Sequence, residues 1–236
     1  MRQLTLFNEL ILPPRSNLAE VKELLAKLRK LGPVVGTDEA GRGALAGPVI
    51  AASVFLTPKQ ERELLAMKLR DSKKLSPKQR DRIFAAMEEM GVVWCAHTGS
   101  IKRIEKDNIL VASMWTMGMS LKKLAEKLPK PPVCVVVDGT ERIQNTKIPQ
   151  WTLIQADNLA PVVSAASIIA KVLRDRLMVD MAEKYPGYDF EQNKGYPTMQ
   201  HIATVKEKGM CAIHRPYFCK KLIAEHFPDA ISYAAD

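Results

Sequence analysis

The sequence predicts a single α/β domain with a C-terminal helical cap, and three observations carry that prediction. About five apolar, often β-branched runs of strand length are spread along the chain. Segments with helical apolar spacing lie between and after them. Three of the runs end in acid: Val34-Val35 leads into Asp38-Glu39, Val135-Val136-Val137 into Asp138, and Leu153-Ile154 into Asp157.

The elements follow in order. Leu18 to Leu31 is expected as a helix, opened by a capping box of Asn17 with Glu20 and stopped by Gly32-Pro33. GPVVGTD and then Pro48 to Leu56 read as strands. Pro77 to Met90 reads as a helix with proline at its first position, and GVVWCAHTG as the third strand. Leu110, Met114, Met117, Leu121, Leu124 and Leu128 recur at helical spacing up to Pro129, so their methionines are core filling and not a metal box. PPVCVVVDG and WTLIQAD read as the fourth and fifth strands, each stopping at its acid. After Pro161 a long helix begins with Ser164, Ala165, Ala166 and Ser167, small enough for close approach to a sheet, and shorter helical pieces follow Pro197 and Pro216. The pattern places helices after the third, fourth and fifth strands.

At 236 residues the chain can bury a real core. It contains no apolar run of the roughly 20 residues that span a bilayer, and its N-terminus lacks the pattern of a signal peptide. Four cysteines without a CxxC pair fit a reduced, cytoplasmic setting. Lys and Arg exceed Asp and Glu by 35 − 26 = 9, and the basic residues cluster in DSKKLSPKQRDR, LKKLAEKLPK, AKVLRDR and FCKK. That distribution points to a polyanionic partner. Lys73 and Lys74 are candidate phosphate contacts.

The stretch GTDEAGRGALAGP places adjacent carboxylates before a glycine-rich turn. An acid at one strand end is ordinarily a turn or cap residue. Acids at three strand ends are a different matter, because carboxylates gathered at one sheet edge repel and need a counter-charge. Hard oxygen ligands without His or Cys select magnesium or manganese over zinc. Four acids suit two ions about 4 Å apart, an arrangement used for in-line phosphoryl displacement. Gly41, Gly43 and Gly47 miss the dinucleotide fingerprint by one residue and precede a strand, and no P-loop motif is present. His201, Cys211, His214, Cys219 and His226 match no common zinc spacing.

DEAGRG with ALAGPV, DSKKLS, VDG, SAASIIAKVLRD and the KGYPT block together resemble the bacterial ribonuclease HII family, the type 2 ribonucleases H, over roughly Pro33 to Tyr217. The type 3 family differs after the acidic pair, where it lacks the Arg of Gly41-Arg42-Gly43, and it carries an added N-terminal domain. The resemblance implies a ribonuclease H-like mixed sheet and an endonuclease that uses Mg2+ or Mn2+. Its substrates would be RNA–DNA hybrids and ribonucleotides embedded in duplex DNA, as in ribonucleotide excision repair. Cutting 5′ of the ribonucleotide would leave a 3′-hydroxyl and a 5′-phosphate. The family's four acids fall on Asp38, Glu39, Asp138 and Asp157, its GRG element on Gly41, Arg42 and Gly43, and its tyrosine on Tyr196. Glycines suit main-chain reading of a 2′-hydroxyl, which separates RNA from DNA. The chain departs from the pattern at Ala156, where the family usually has glycine, and in the tail Pro216 to Cys219.

Residues 1–32 are expected as an N-terminal extension and residues 33–236 as the catalytic domain with its helical region. Gln3, Leu4, Leu6 and Phe7 resemble the short peptide by which bacterial repair proteins dock on the sliding clamp. The rival reading is a non-catalytic nucleic-acid-binding module on the same fold. A polyanion binder gains nothing from clustered acids, which counts against it.

Overall fold

A computed structural model describes residues 15–226, so the peptide containing Gln3, Leu4, Leu6 and Phe7 lies outside the described residues. The architecture is a five-stranded mixed sheet, in spatial order β3-β2-β1-β4-β5, covered by helices on both faces. β1 (Val34–Ala40), β2 (Val49–Phe55) and β3 (Val93–Gly99) form an antiparallel meander. β4 (Cys134–Asp138) and β5 (Gln150–Leu153) extend it in parallel beyond β1.

α1 (Leu18–Leu31) starts with the expected capping box, in which Asn17 accepts from the Glu20 amide and Glu20 accepts from the Asn17 amide. α2 (Pro58–Ala66) and α3 (Pro77–Glu89) lie between β2 and β3, separated by a 3-10 turn at Ser72–Lys74. α4 (Ile101–Asp107) and α5 (Ile109–Lys127) follow β3. α6 (Ala156–Leu159) and α7 (Pro161–Lys184) follow β5, and α8 (Phe190–Asn193), α9 (Met199–Lys208) and α10 (Pro216–His226) form the C-terminal cap.

Alternation along the strands divides the core. On one face Val34, Val54, Val136 and Leu153 pack against α7 residues such as Val162, Ala166 and Ile169, together with Val21, Leu24, Leu25 and Leu28 of α1. On the other face Val35, Val135 and Val137 meet Met114, Met117, Leu121 and Leu124 of α5, so these methionines are core residues. The small residues opening α7 let it approach β1 closely. A Cβ on Gly36 would stand 2.5 Å from the Val162 carbonyl carbon and 2.6 Å from the Val163 nitrogen, a clash with backbone that only glycine avoids.

The structure corrects two sequence expectations. No helix follows β4 among the described residues; a loop over residues 139–149 joins it to β5. The WTLIQAD strand stops at Leu153, because Gln155 takes a left-handed φ of 58° and the chain then coils into α6. Asp157 therefore sits in the first turn of a one-turn helix, not at a strand tip.

Candidate active site

The register of the sheet explains why the acids meet. β1 and β4 run parallel with Val34 beside Cys134 and Thr37 beside Val137, so one residue further on Asp38 stands next to Asp138. Both side chains project toward α7 by strand alternation. Asp138 Oδ1 accepts from the Ala156 amide at 2.7 Å, which pins the start of α6 to β4 and brings Asp157 to the same edge. Glu39 follows Asp38 on β1, and its amide donates to Asp38 Oδ1 at 2.7 Å.

Electrostatics shows how closely these groups interact. Burial pushes the Asp38 carboxyl well above the ordinary aspartate range, and Glu39 and Asp138 push it the same way; a hydrogen bond from Ser167 on α7 opposes them. Burial raises Asp138 and outweighs the Ala156 and Asp157 amides and the charge of Lys73. Glu39 is raised by burial, against the opposing charge of Arg42, whose Nη1 lies 3.4 Å from Glu39 Oε1. Asp157 is pushed up to about 6 by burial, then by the charges of Asp138 and Asp71.

Besides Arg42, Lys73 is a cation that faces this group. Burial works to lower its pKa, yet Asp157, Asp38, Asp71 and Asp138 together raise it. Lys74 points elsewhere and hydrogen-bonds Asn158, the neighbour of Asp157. The set offers hard oxygen donors and no nitrogen or sulfur, which fits magnesium or manganese. Among the described residues no three such groups are already drawn in around one point at metal-ligand spacing.

The glycine turn follows Glu39 directly, and the segment carrying Tyr196 packs on that turn. Leu45 and Ala46 amides donate to the Gly195 carbonyl at 2.8 and 3.2 Å, which locks the KGYP segment onto the turn. Gly41 is buried with φ of 102°, whereas Arg42 and Gly43 are exposed, and a Cβ on Gly43 would meet nothing within 4 Å. The amides of Arg42 and Gly43 meet no acceptor among the described residues. Tyr196 is half-buried, with Lys171 Nζ 4.9 Å and the Arg174 guanidinium carbon 5.0 Å from its ring centre.

Residues 35–221 match the model of the family described as ribonuclease HII. The chain belongs to the ribonuclease HII family. It is 40% identical over 185 residues to ribonuclease HII of Acaryochloris marina, covering 78% of this chain and 91% of that protein. To ribonuclease HII of Moorella thermoacetica it is 43% identical over 185 residues, covering 78% and 85%. Among solved structures it is similar to ribonuclease H2 from Pyrococcus horikoshii, with a TM-score of 0.63, 25% identity, and 83% and 99% of the two chains covered. As a member of the ribonuclease HII family the protein is an endoribonuclease.

The ribonuclease HII match also contains residues that sequence reasoning passed over. Asp71 opens the DSKKLS block, and its Oδ1 accepts from the Lys73 amide at 2.9 Å while its charge bears on Asp157 and Asp138. Ser167 acts to lower the Asp38 pKa and lies 2.9 Å from Ser72, so α7 supports the acids. Their signal was present, since both fall inside quoted motifs, but Asp71 reads locally as a cap and Ser167 as a small packing residue. The residues considered for zinc do not form one site. His201, Cys211 and His214 share a hydrogen-bonded cluster, while Cys219 Sγ faces the Leu45 carbonyl at 3.7 Å and His226 Nδ1 meets the Leu222 carbonyl at 3.0 Å.

Proposed function

We propose that the protein hydrolyses the RNA strand of RNA–DNA hybrids and incises duplex DNA on the 5′ side of an embedded ribonucleotide. The products are a 3′-hydroxyl and a 5′-phosphate. The observation that carries this reading is the set of four carboxylates, Asp38, Glu39, Asp138 and Asp157, each displaced toward its protonated form. Acids held under that strain gain from a multivalent cation, and a site built only to bind a polyanion would not collect them.

These four residues would hold two divalent ions. Magnesium or manganese, when bound there, supplies the charge that activates water and stabilises the leaving 3′-oxygen. Lys73, raised by the same acids, keeps its positive charge at the site and attracts the substrate phosphates. The free amides of Arg42 and Gly43 suit hydrogen bonding to a 2′-hydroxyl or an adjacent phosphate, and the exposed surface of Gly43 leaves room for a sugar. The Tyr196 ring, held beside Lys171 and Arg174, packs on the neighbouring sugar and reads the RNA–DNA junction. Lys74, bonded to Asn158, contributes at the rim.

In this reading residues 33–236 form the catalytic domain and residues 1–32 an extension, whose helix α1 packs on the core. Gln3, Leu4, Leu6 and Phe7 serve as a peptide for a sliding clamp. The setting is cytoplasmic; no helix among the described residues is long and apolar enough to cross a membrane.

The test is an incision assay on duplex DNA carrying one ribonucleotide, against an all-DNA control, in magnesium and in manganese. Cutting 5′ of the ribonucleotide in either metal, with the control intact, is the expected result. An uncut ribonucleotide duplex in both metals contradicts the proposal.

A further inference from the structure

Two arginines lie beneath the glycine turn, and the chemistry above does not use them. Arg174 comes from the SAASIIAKVLRD run on α7 and Arg215 from the His-Arg pair before α10; neither has any exposed surface. Neither forms an ion pair among the described residues. Their partners are main-chain carbonyls. Arg174 donates from Nε to Pro48 at 3.1 Å, from Nη1 to Lys194 at 3.0 Å and from Nη2 to Ala46 at 3.0 Å. Arg215 donates from Nε to Gly47 at 2.9 Å and from Nη1 to Arg42 at 3.1 Å, while its Nη2 is buried without a partner.

Burying two cations beside each other with no anion in ion-pair contact is costly, and simple packing does not call for it. Burial and the charge of Arg174 push Arg215 down to about 9. What a guanidinium offers in return is a rigid fork of five donors that can fix several carbonyls at once, which a lysine cannot do. These carbonyls all belong to two segments, Arg42 to Pro48 and Lys194. The glycine turn is fitted to the same support, since a Cβ on Gly41 would stand 2.1 Å from Arg174 Nε.

We infer that Arg174 and Arg215 are positioning residues for substrate reading: by holding the carbonyls of the turn inward, they keep the Arg42 and Gly43 amides and the Tyr196 ring in the geometry that receives the ribonucleotide. The inference rests on the proposed role of that surface. Arg174 reaches both halves of it, through its bonds to the turn and to the Lys194 carbonyl and through its guanidinium, whose carbon lies 5.0 Å from the Tyr196 ring centre. Their contribution is geometric, so it belongs to the reaction step and not to metal binding or to general attraction for nucleic acid.

The test uses full-length Arg174→Lys, Arg215→Lys and Arg174→Gln on the single-ribonucleotide duplex. Glutamine also removes the buried charge, so it serves as the second variant in case a buried lysine is not tolerated. Small misplacements of binding groups lower the reaction step by roughly 100-fold, and a loss confined to kcat marks an interaction made in the transition state. The expected result is a fall in kcat of that order with KM and the half-saturating magnesium concentration close to wild type. The effects of Arg174→Lys and Tyr196→Ala should also be markedly less than additive in the double variant. Folded variants with wild-type kcat overturn the inference, and so does full additivity. Collapse of the fold in every variant overturns it too, because the pair would then support the whole domain. Failure of the wild-type protein to cut this substrate would instead strike the proposed function.

Discussion

His214 donates from Nε2 to Nε2 of His201 across 3.1 Å, and the surrounding bonds fix both tautomers. His201 Nδ1 faces the Tyr196 carbonyl at 2.9 Å, so it carries a proton, and His214 Nδ1 accepts from the Cys211 amide at 3.0 Å, so it does not. The pair thus ties the KGYP segment to the C-terminal cap only while both rings are neutral.

Acid should therefore weaken the cap. Burial lowers both histidines, His214 to about 4, with His201 adding to the effect on His214; the Tyr196 carbonyl and Asp189 partly oppose it at His201. A histidine with a depressed folded pKa contributes stability that is complete above its unfolded value near 6.5 and is lost as pH falls toward 4. In EDTA, His214→Gln should have a lower Tm than wild type at pH 7.5, and the gap should narrow steadily toward pH 4.5. A gap independent of pH would contradict the tautomer assignment.

The acids should show the opposite sign. Their folded pKa values are raised, so the folded state binds more protons than the unfolded state, and stability falls as pH rises through about 4 to 6. Metal-free Asp138→Asn keeps the acceptor for the Ala156 amide and removes one repelling charge. At pH 7.5 it should exceed wild type by about 1 kcal/mol, or roughly 2–4 °C in Tm, and the advantage should shrink at pH 4.5 and vanish below about pH 3.9, the unfolded aspartate value. Equal stability at both pH values would remove the electrostatic account of the site.

Much of this arrangement was legible in the sequence, and the limits have physical causes. The strands carrying Asp38 and Asp138 announce themselves as buried β-branched runs, and the α5 stripe announces itself by its spacing. The sequence places Asp157 at the end of a strand, whereas it lies in a helical turn, because the break depends on a left-handed Gln155 that no local residue preference signals. α2 was missed although Thr57 and Gln60 form a capping box, since the helix buries only Leu64 and so has little apolar periodicity. Arg174 falls inside the basic run AKVLRDR and Arg215 outside every basic cluster, so the sequence singles out neither as a buried support. Their carbonyl partners are up to 173 residues away in the chain, and no spacing rule reaches that far.

Gly36 offers a stability test of the helix-on-sheet contact. Its added Cβ would strike the α7 main chain, which cannot rotate aside. Gly36→Ala should destabilise the protein by about 1–3 kcal/mol, the usual cost of overpacking, as measured by urea unfolding. A change below about 0.5 kcal/mol, ordinary for a surface site, would mean that α7 sits further from β1 than described.

Tyr196 separates ring packing from hydroxyl chemistry. Tyr196→Phe should retain most incision at a single embedded ribonucleotide, because the ring beside Lys171 and Arg174 remains. Tyr196→Ala should lose most of it. Wild-type rates from both variants would exclude a junction-reading role.

The central claim is that the four acids act through a bound divalent cation on the RNA strand. The most direct measurement is cleavage and binding of one labelled RNA–DNA hybrid by wild type and Asp138→Asn in saturating magnesium. The account predicts that the variant binds the hybrid as tightly as wild type or more tightly, since one negative charge near phosphate is gone, while cleavage is abolished. Cleavage by Asp138→Asn at the wild-type rate would contradict it.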